Sequence, residues 1–248
     1  MAISKPILKY LFRDDFKHLG WIVLSVLAIN IFLGLVSGGN ASLGGLEFIF
    51  GFILFVGWAE SFNEDLHFYT QLGVSRRTIS LNTTIGMVIS SAVFTVAFMV
   101  TAGLLTLVAS AFPVDSISIS TLYTRHLAGM GAVQGHLVHF AWTWAILLAF
   151  SAVGHFASGL YYIMSKLGRY IALGVIIFIV VLAPRFVLPH FLNLMFGDLD
   201  AMIEVFVNIL VYGGSWVSLC MSIAANLCIA AACLIGSWLC TRRCKMKK

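Results

Sequence analysis

Six stretches of this chain, residues 19–36, 43–62, 83–112, 137–164, 170–188 and 215–240, are predominantly apolar over the length of a membrane crossing. Roughly 20 such residues, coiled into a helix, cover the ~30 Å of a bilayer's hydrocarbon core. Of the 248 residues, 60% are hydrophobic and 10% charged; soluble domains run near half and a quarter. A globule of this length cannot bury so much apolar surface and still clothe itself in polar groups. A soluble enzyme, a nucleic-acid binder and a disordered chain are therefore disfavoured together. The pattern predicts an all-α integral membrane protein: six transmembrane helices forming a single transmembrane domain over residues 1–248. The third and fourth stretches exceed one crossing, which predicts tilt or helical extension beyond the lipid.

The few charges are sorted along the chain. With the N-terminus inside, Lys5, Lys9, Arg13 and Lys17 precede the first span, and Arg76 and Arg77 separate the second from the third. Lys166 and Arg169 separate the fourth from the fifth, and Arg242, Arg243, Lys245, Lys247 and Lys248 follow the sixth. The outer side keeps Arg125 and Arg185. Cytoplasmic loops of membrane proteins carry such a Lys/Arg excess. The formal charge of +5 is thus an orientation signal, with no nucleic-acid partner implied. Both termini are expected in the cytoplasm of a cell (plasma) membrane protein.

The first apolar run lacks a convincing small-residue cleavage site, so a retained anchor is expected in place of a signal peptide. All five cysteines (Cys220, Cys228, Cys233, Cys240, Cys244) fall in the last span and tail, so no exported disulfide framework is expected. Cys240 and Cys244 lie beside the inner face. Lipidation is one reading; ordinary membrane-helix cysteines are the simpler one.

The connections are informative. In residues 1–18, Ile7, Leu8, Leu11, Phe12 and Phe16 recur at helical spacing among cations, as in a helix lying along the cytoplasmic interface. In residues 63–77, Asn63 suits an N-cap, and Glu64 and Asp65 suit the positive end of a helix. Leu66, Tyr69 and Leu72 form a short apolar stripe, Gly73 can end the helix, and Ser75 can cap the next one before Arg76 and Arg77. This predicts a short amphipathic helix between spans two and three, either docking into a soluble partner's groove or resting on lipid headgroups. Residues 189–214 are too apolar for an ordinary loop yet broken by Gly197 and by Gly213-Gly214, which predicts re-entrant helices on the outer side before span six. Residues 113–135, rich in Ser, Thr and Gly, read as an outer surface loop. Residues 241–248 form a basic cytoplasmic tail.

Six spans, an interfacial N-terminal helix, a helix between spans two and three and re-entrant pieces before the last span occur together in one family. The chain resembles the permease subunit of type-2 ABC exporters. The run Phe62-Asn63-Glu64-Asp65-Leu66-His67-Phe68-Tyr69-Thr70-Gln71-Leu72-Gly73-Val74-Ser75-Arg76-Arg77-Thr78 is similar to that family's first coupling helix, which often ends in a Gly-x-Ser-Arg turn. The resemblance implies that this helix docks on a cytoplasmic ATP-binding subunit, with Lys166 and Arg169 at the second, shorter coupling position. It also implies a second permease chain, identical or related, and a pathway between the two lined by spans one, two and five. Small relatives of this kind in Gram-positive bacteria export amphipathic peptides, bacteriocins or lipids. No Gly-x-x-x-x-Gly-Lys-Ser/Thr motif occurs in the chain, so ATP and Mg are expected on the partner ATPase and no cofactor on this chain. A stand-alone membrane immunity or substrate-binding protein shares the span count but does not require the coupling helix.

Other constellations carry less. His136 and His139 are one helical turn apart near His126; they read either as a partial metal site or as wet interfacial imidazoles. His155 lies deeper in the fourth span, where an ionisable group is a functional candidate or a neutral link to a neighbouring helix. Asn30 and Asn226 are candidate interhelical polar contacts. Glu60 ends span two and is expected to pair with Arg76 or Arg77. No nucleophile–base or metalloprotease motif is present, so the chain is not expected to be an enzyme. The orientation is directly testable: an accessibility tag inserted at Ser118 should label from outside intact cells, and labelling only after permeabilisation would reverse the topology.

Overall fold

The computed structural model describes residues 23–25, 28, 46–111, 132–165, 168 and 216–243. These residues are almost entirely helical, with no β-strand among them. Val23, Leu24, Ser25 and Ala28, inside the expected first span, are helical. Four long helices follow: α1 (Leu46–Gln71), α2 (Arg76–Ala111), α3 (Ala132–Ile163) and α4 (Trp216–Arg243). Stretches within three of them, Arg76–Leu104, Gln134–Ile163 and Leu219–Arg242, are long and apolar enough to cross a membrane. They match the expected third, fourth and sixth spans. The interfacial helix at 1–18, the fifth span, the re-entrant segment 189–214, Asn30, His126, Lys166, Arg169 and Cys244 lie outside the described residues.

Two boundaries differ from expectation. Residues 132–135, read above as loop, are the first turn of α3, and Gly135 is buried there. Asn63, read as the N-cap of a separate helix, lies inside α1, which runs unbroken from Leu46 to Gln71. The cause is packing. Phe50, Leu54, Trp58, Phe62, Leu66 and Tyr69 are all buried, at steps of four and then three residues. Each step of four advances about 40° around a helix of 3.6 residues per turn, so the buried stripe winds smoothly across position 63. A capping side chain acts only where the chain leaves the helix, and no Gly or Pro stands between Gly57 and Gly73 to make it do so.

α3 is the centre of the bundle. It packs on α1 along one side, on α4 along the other and on α2 across a third. Its span is 56% buried in protein, against 44% for α2 and 22% for α4, so α4 is the most outward-facing of the three. Contact register fixes direction. Along α1 and α3, Gly51 meets Phe150, Phe55 meets Gly154 and His67 meets Tyr162; both residue numbers rise together, so the two helices are parallel. Trp142 with Ser222, Phe156 with Gly236 and Gly159 with Cys240 make α4 parallel to α3 by the same test. α2 runs the other way: Val88 meets Trp144, while Phe98 meets His139. The chain therefore leaves α3 at one end of the bundle and enters α4 at the other.

Small residues and aromatics make these contacts. Between apolar helices in lipid no hydrophobic force favours association, so close van der Waals packing must supply it. A Cβ on Gly154 would overlap the carbonyl oxygen of Phe55, and one on Gly51 would sit 2.7 Å from the Phe150 ring. Phe50 meets Phe94 and Phe98 edge-on at centroid distances of 6.5 and 5.8 Å, an arrangement favourable to the ring quadrupoles. α2 turns a polar stripe inward: Asn82, Thr83, Ser90, Ser91, Thr95 and Thr101 are buried. Each donates to a carbonyl of its own helix three or four residues back, at 2.8–3.3 Å, so the buried hydroxyls have acceptors, while Asn82 Oδ1 has no hydrogen-bond partner among the described residues.

The glycines give a paired test. Gly154→Ala should lower stability by about 1–3 kcal/mol, because a backbone carbonyl cannot step aside as a flexible side chain can. Gly57→Ala, where an added Cβ meets nothing within 4 Å, should be neutral or stabilising by up to about 1 kcal/mol. Thermal unfolding of the two variants in detergent reads the difference; similar midpoints would refute the close α1–α3 approach.

Candidate functional site at the basic end of the bundle

Of the expected coupling residues, Leu72, Gly73, Ser75, Arg76 and Arg77 lie where α1 ends and α2 begins. Gly73 adopts φ +74°, a left-handed conformation in which any Cβ is strained. The Gly73 N–H donates to Thr70 O at 3.1 Å and the Val74 N–H to Tyr69 O at 3.0 Å. These are the two bonds of a Schellman cap, which satisfy carbonyls the helix leaves open. Ser75 then caps α2: its Oγ accepts from the Thr78 N–H at 3.3 Å and lies 2.7 Å from Thr78 Oγ1. Val74 packs on a small cluster of Phe62, Leu66, Tyr69 and Ile79, placing it against α1's last turns and α2's first turn together. It serves as the hydrophobic contact of the outgoing cap and the staple of the incoming one. Gly73 and Ser75 thus hold the roles expected of them, in a corner fixed from both sides.

The apolar stripe divides. Leu66 and Tyr69 are 3% and 2% exposed, inside the chain's own core, whereas Leu72 is 63% exposed. Phe68, which the stripe omitted, is 41% exposed and stacks edge-on to Tyr69 at 5.3 Å. The outward apolar surface of the corner is therefore Phe68 and Leu72. Leu66 and Tyr69 belong to the buried stripe that starts at Phe50, a continuity legible in the spacing once Asn63 is not taken as a break. Asn63, Glu64 and Asp65 lie on α1 two turns before its end.

The other helices tie into this end. Tyr162 OH, on α3, is 3.1 Å from His67 Nε2. Arg76 reaches α4, its guanidinium donating to Arg242 O at 3.1 Å and to Thr241 O at 3.4 Å. Those carbonyls lie near the C-terminal end of α4, the end toward which a helix's carbonyls and the negative end of its dipole point. Arg242 in turn lies 4.8 Å from the Trp238 ring centroid, a cation–π contact. Arg77 is exposed.

The pairing of Glu60 with Arg76 or Arg77 is not found. Glu60 is exposed on α1, and because α1 is continuous the 11 residues to Gln71 carry it roughly 17 Å down the axis from the corner. Arg76 is committed to α4 instead. His155 is buried in the α1–α3 contact and set edge-on to Phe62 at 4.8 Å and Trp58 at 6.1 Å. Asn226 is buried, its Nδ2 donating to Ser222 O of its own helix at 2.9 Å. One turn earlier on α4, Ser222 makes an interhelical bond, its Oγ accepting from Trp142 Nε1 at 2.9 Å. His136 is exposed and His139 half-buried against Phe98 at 5.7 Å. Among the described residues no three His, Cys, Asp or Glu side chains converge.

No protein-family model, no curated protein and no solved structure matches the chain. The corner makes its own prediction. Gly73→Ala should destabilise by about 1–2 kcal/mol through the left-handed strain, and Ser75→Ala by about 1 kcal/mol through the lost cap. Hydrogen exchange over residues 70–79 should accelerate in both, and unchanged protection would refute the double cap.

Proposed function

We propose that this chain is the permease subunit of a type-2 ABC exporter, a multi-pass membrane protein with both termini in the cytoplasm. ATP hydrolysis belongs, on this reading, to a separate cytoplasmic ATP-binding subunit that carries ATP and Mg. The cargo is amphipathic, a peptide or a lipid-like molecule, and the pathway lies between two permease chains, identical or related.

The observation that carries the reading is the α1–α2 corner. It ends two long helices in a doubly capped turn, is tied to α3 through Tyr162 and to α4 through Arg76, and presents Phe68 and Leu72 outward. A surface that must receive a push and pass it on needs both rigidity and an apolar foothold. The direction of the helices gives further support: α1, α3 and α4 run one way and α2 the other, as spans two, four, six and three would in a six-span chain.

Co-purification with a cytoplasmic ATP-binding protein tests the proposal. Phe68→Asp and Leu72→Asp should each weaken the complex at least tenfold, the loss of an apolar contact worth about 2 kcal/mol, while leaving the permease folded. Leu66→Asp and Tyr69→Asp should fail differently, by placing a charge in the buried core. Undiminished ATPase capture by the Phe68 and Leu72 variants would end the docking assignment. A chain that acts without any ATP-binding partner would support a stand-alone immunity or binding protein.

A further inference from the structure

A groove of about 440 Å³ opens between the start of α2 and the end of α4. On the α2 side it is lined by Arg77, Ser80, Leu81 and Thr84, a stripe at helical spacing. On the α4 side it is lined by Leu234, Ile235 and Trp238. The helices are antiparallel here, because Arg76 bonds the last carbonyls of α4. Arg77 and Trp238 therefore stand together at the basic end, and Thr84 and Leu234 lie deeper. The groove is graded: cationic and hydroxylic at its mouth, apolar further in. Ile235 is 61% exposed, so the apolar wall is open to the membrane side of the bundle.

Among the described residues, the mouth holds polar groups without a hydrogen-bond partner. Arg76 is committed to α4's carbonyls and Arg242 to the Trp238 ring. Arg77 makes no hydrogen bond or ion pair among the described residues, and neither does the hydroxyl of Ser80, one turn further along the same face. Thr84, deeper, returns its proton to Ser80 O at 2.9 Å and needs nothing more. No described acidic side chain lines the groove. A tryptophan beside arginines is the usual furniture of a membrane–water interface, and basic pockets between membrane helices recognise lipid head groups.

We infer that this groove binds an anionic phospholipid, its phosphate on Arg77 and Ser80 and an acyl chain against Leu81, Leu234 and Ile235. The charge at the mouth selects a net-negative headgroup over a zwitterionic one. The inference rests on α2 and α4 spanning a membrane and is independent of any ATPase partner.

Native mass spectrometry of the delipidated full chain in detergent tests it, with phosphatidylglycerol and phosphatidylcholine as probes at equal concentration. Phosphatidylglycerol should bind about fivefold more than phosphatidylcholine, the ratio that one interfacial cation makes. Arg77→Gln should bring the two lipids level. Ile235→Trp, a change at an exposed position that fills the apolar part, should lower binding of phosphatidylglycerol by a similar factor. Equal binding of the two lipids to the unaltered chain would overturn the inference. So would a loss in Arg77→Gln without one in Ile235→Trp, which would mark general attraction to the basic rim. Displacement of the lipid by millimolar inorganic phosphate would also overturn it, since a free-anion site would then suffice.

Discussion

The bundle depends on how closely α1 can lie along α3. At Gly154 the backbones touch, with no side chain between that residue and the Phe55 carbonyl. In water a wider gap could be filled by larger apolar groups and still be favoured. Between helices bathed in lipid tails, separation forfeits the van der Waals contact and the interhelical hydrogen bonds that favour association. The other glycines on these faces work in the same way. Gly159 receives the Phe62 ring and Cys240 Cβ at 3.2–3.3 Å of where its own Cβ would stand, and Gly236 receives the Phe156 ring. Phe150, Phe62 and Phe156 each meet a glycine on the neighbouring helix, so α3 holds α1 and α4 at once.

Close packing sets terms for the polar groups inside. A buried hydroxyl without a partner costs several kcal/mol in hydrocarbon. α2 meets this within itself, its serines and threonines bonding their own carbonyls, which leaves it polar in composition and apolar in effect. Cross-links between helices come from longer reaches: the indole N–H groups of Trp142 to Ser222 and of Trp144 to Val88 O, the latter at 3.3 Å. His155 is the less economical case. Its Nδ1 finds no hydrogen-bond partner among the described residues, and the rings of Phe62 and Trp58 meet it edge-on.

How far these features are legible in the sequence depends on whether they are local. Long apolar runs announce α2, α3 and α4 to within a few residues at most ends, since a crossing length is a property of the run itself. Gly73 and Ser75 are also local: a left-handed φ and an N-cap belong to residue types that favour them. Asn63 misleads for the same reason, because its capping preference is local too, while the burial of Leu66 and Tyr69 that keeps α1 whole depends on α2 and α3. Glu60 and Arg76 look like partners if the helix breaks between them, and cannot be once α1 continues about three turns past Glu60. The contact of Arg76 with α4 spans more than 160 residues. No pattern short of the assembled bundle reveals it, although an arginine near a helix start is visible alone.

Arg76 and Arg77 show how one turn of helix divides labour. Adjacent residues point about 100° apart, so the first arginine can close the bundle on α4 while the second faces the groove. Their separation also decides how the corner responds to load. α1 holds no hinge between Gly57 and Gly73, and both ends of the turn are capped. A displacement applied at Leu72 therefore travels about 25 Å along a single helix to the Phe55–Gly154 contact, where the backbones have no slack to absorb it. At the same time Arg76 carries it across to the end of α4. A corner built of loosely joined pieces, with a separate helix lying on the membrane surface, would dissipate such a motion in its joints. Under the proposed exporter reading, this continuity is what turns a push at the cytoplasmic end into a relative movement of α1, α3 and α4, and the close glycine contacts are where that movement must be resolved by sliding, since separation would cost the packing that holds the helices together.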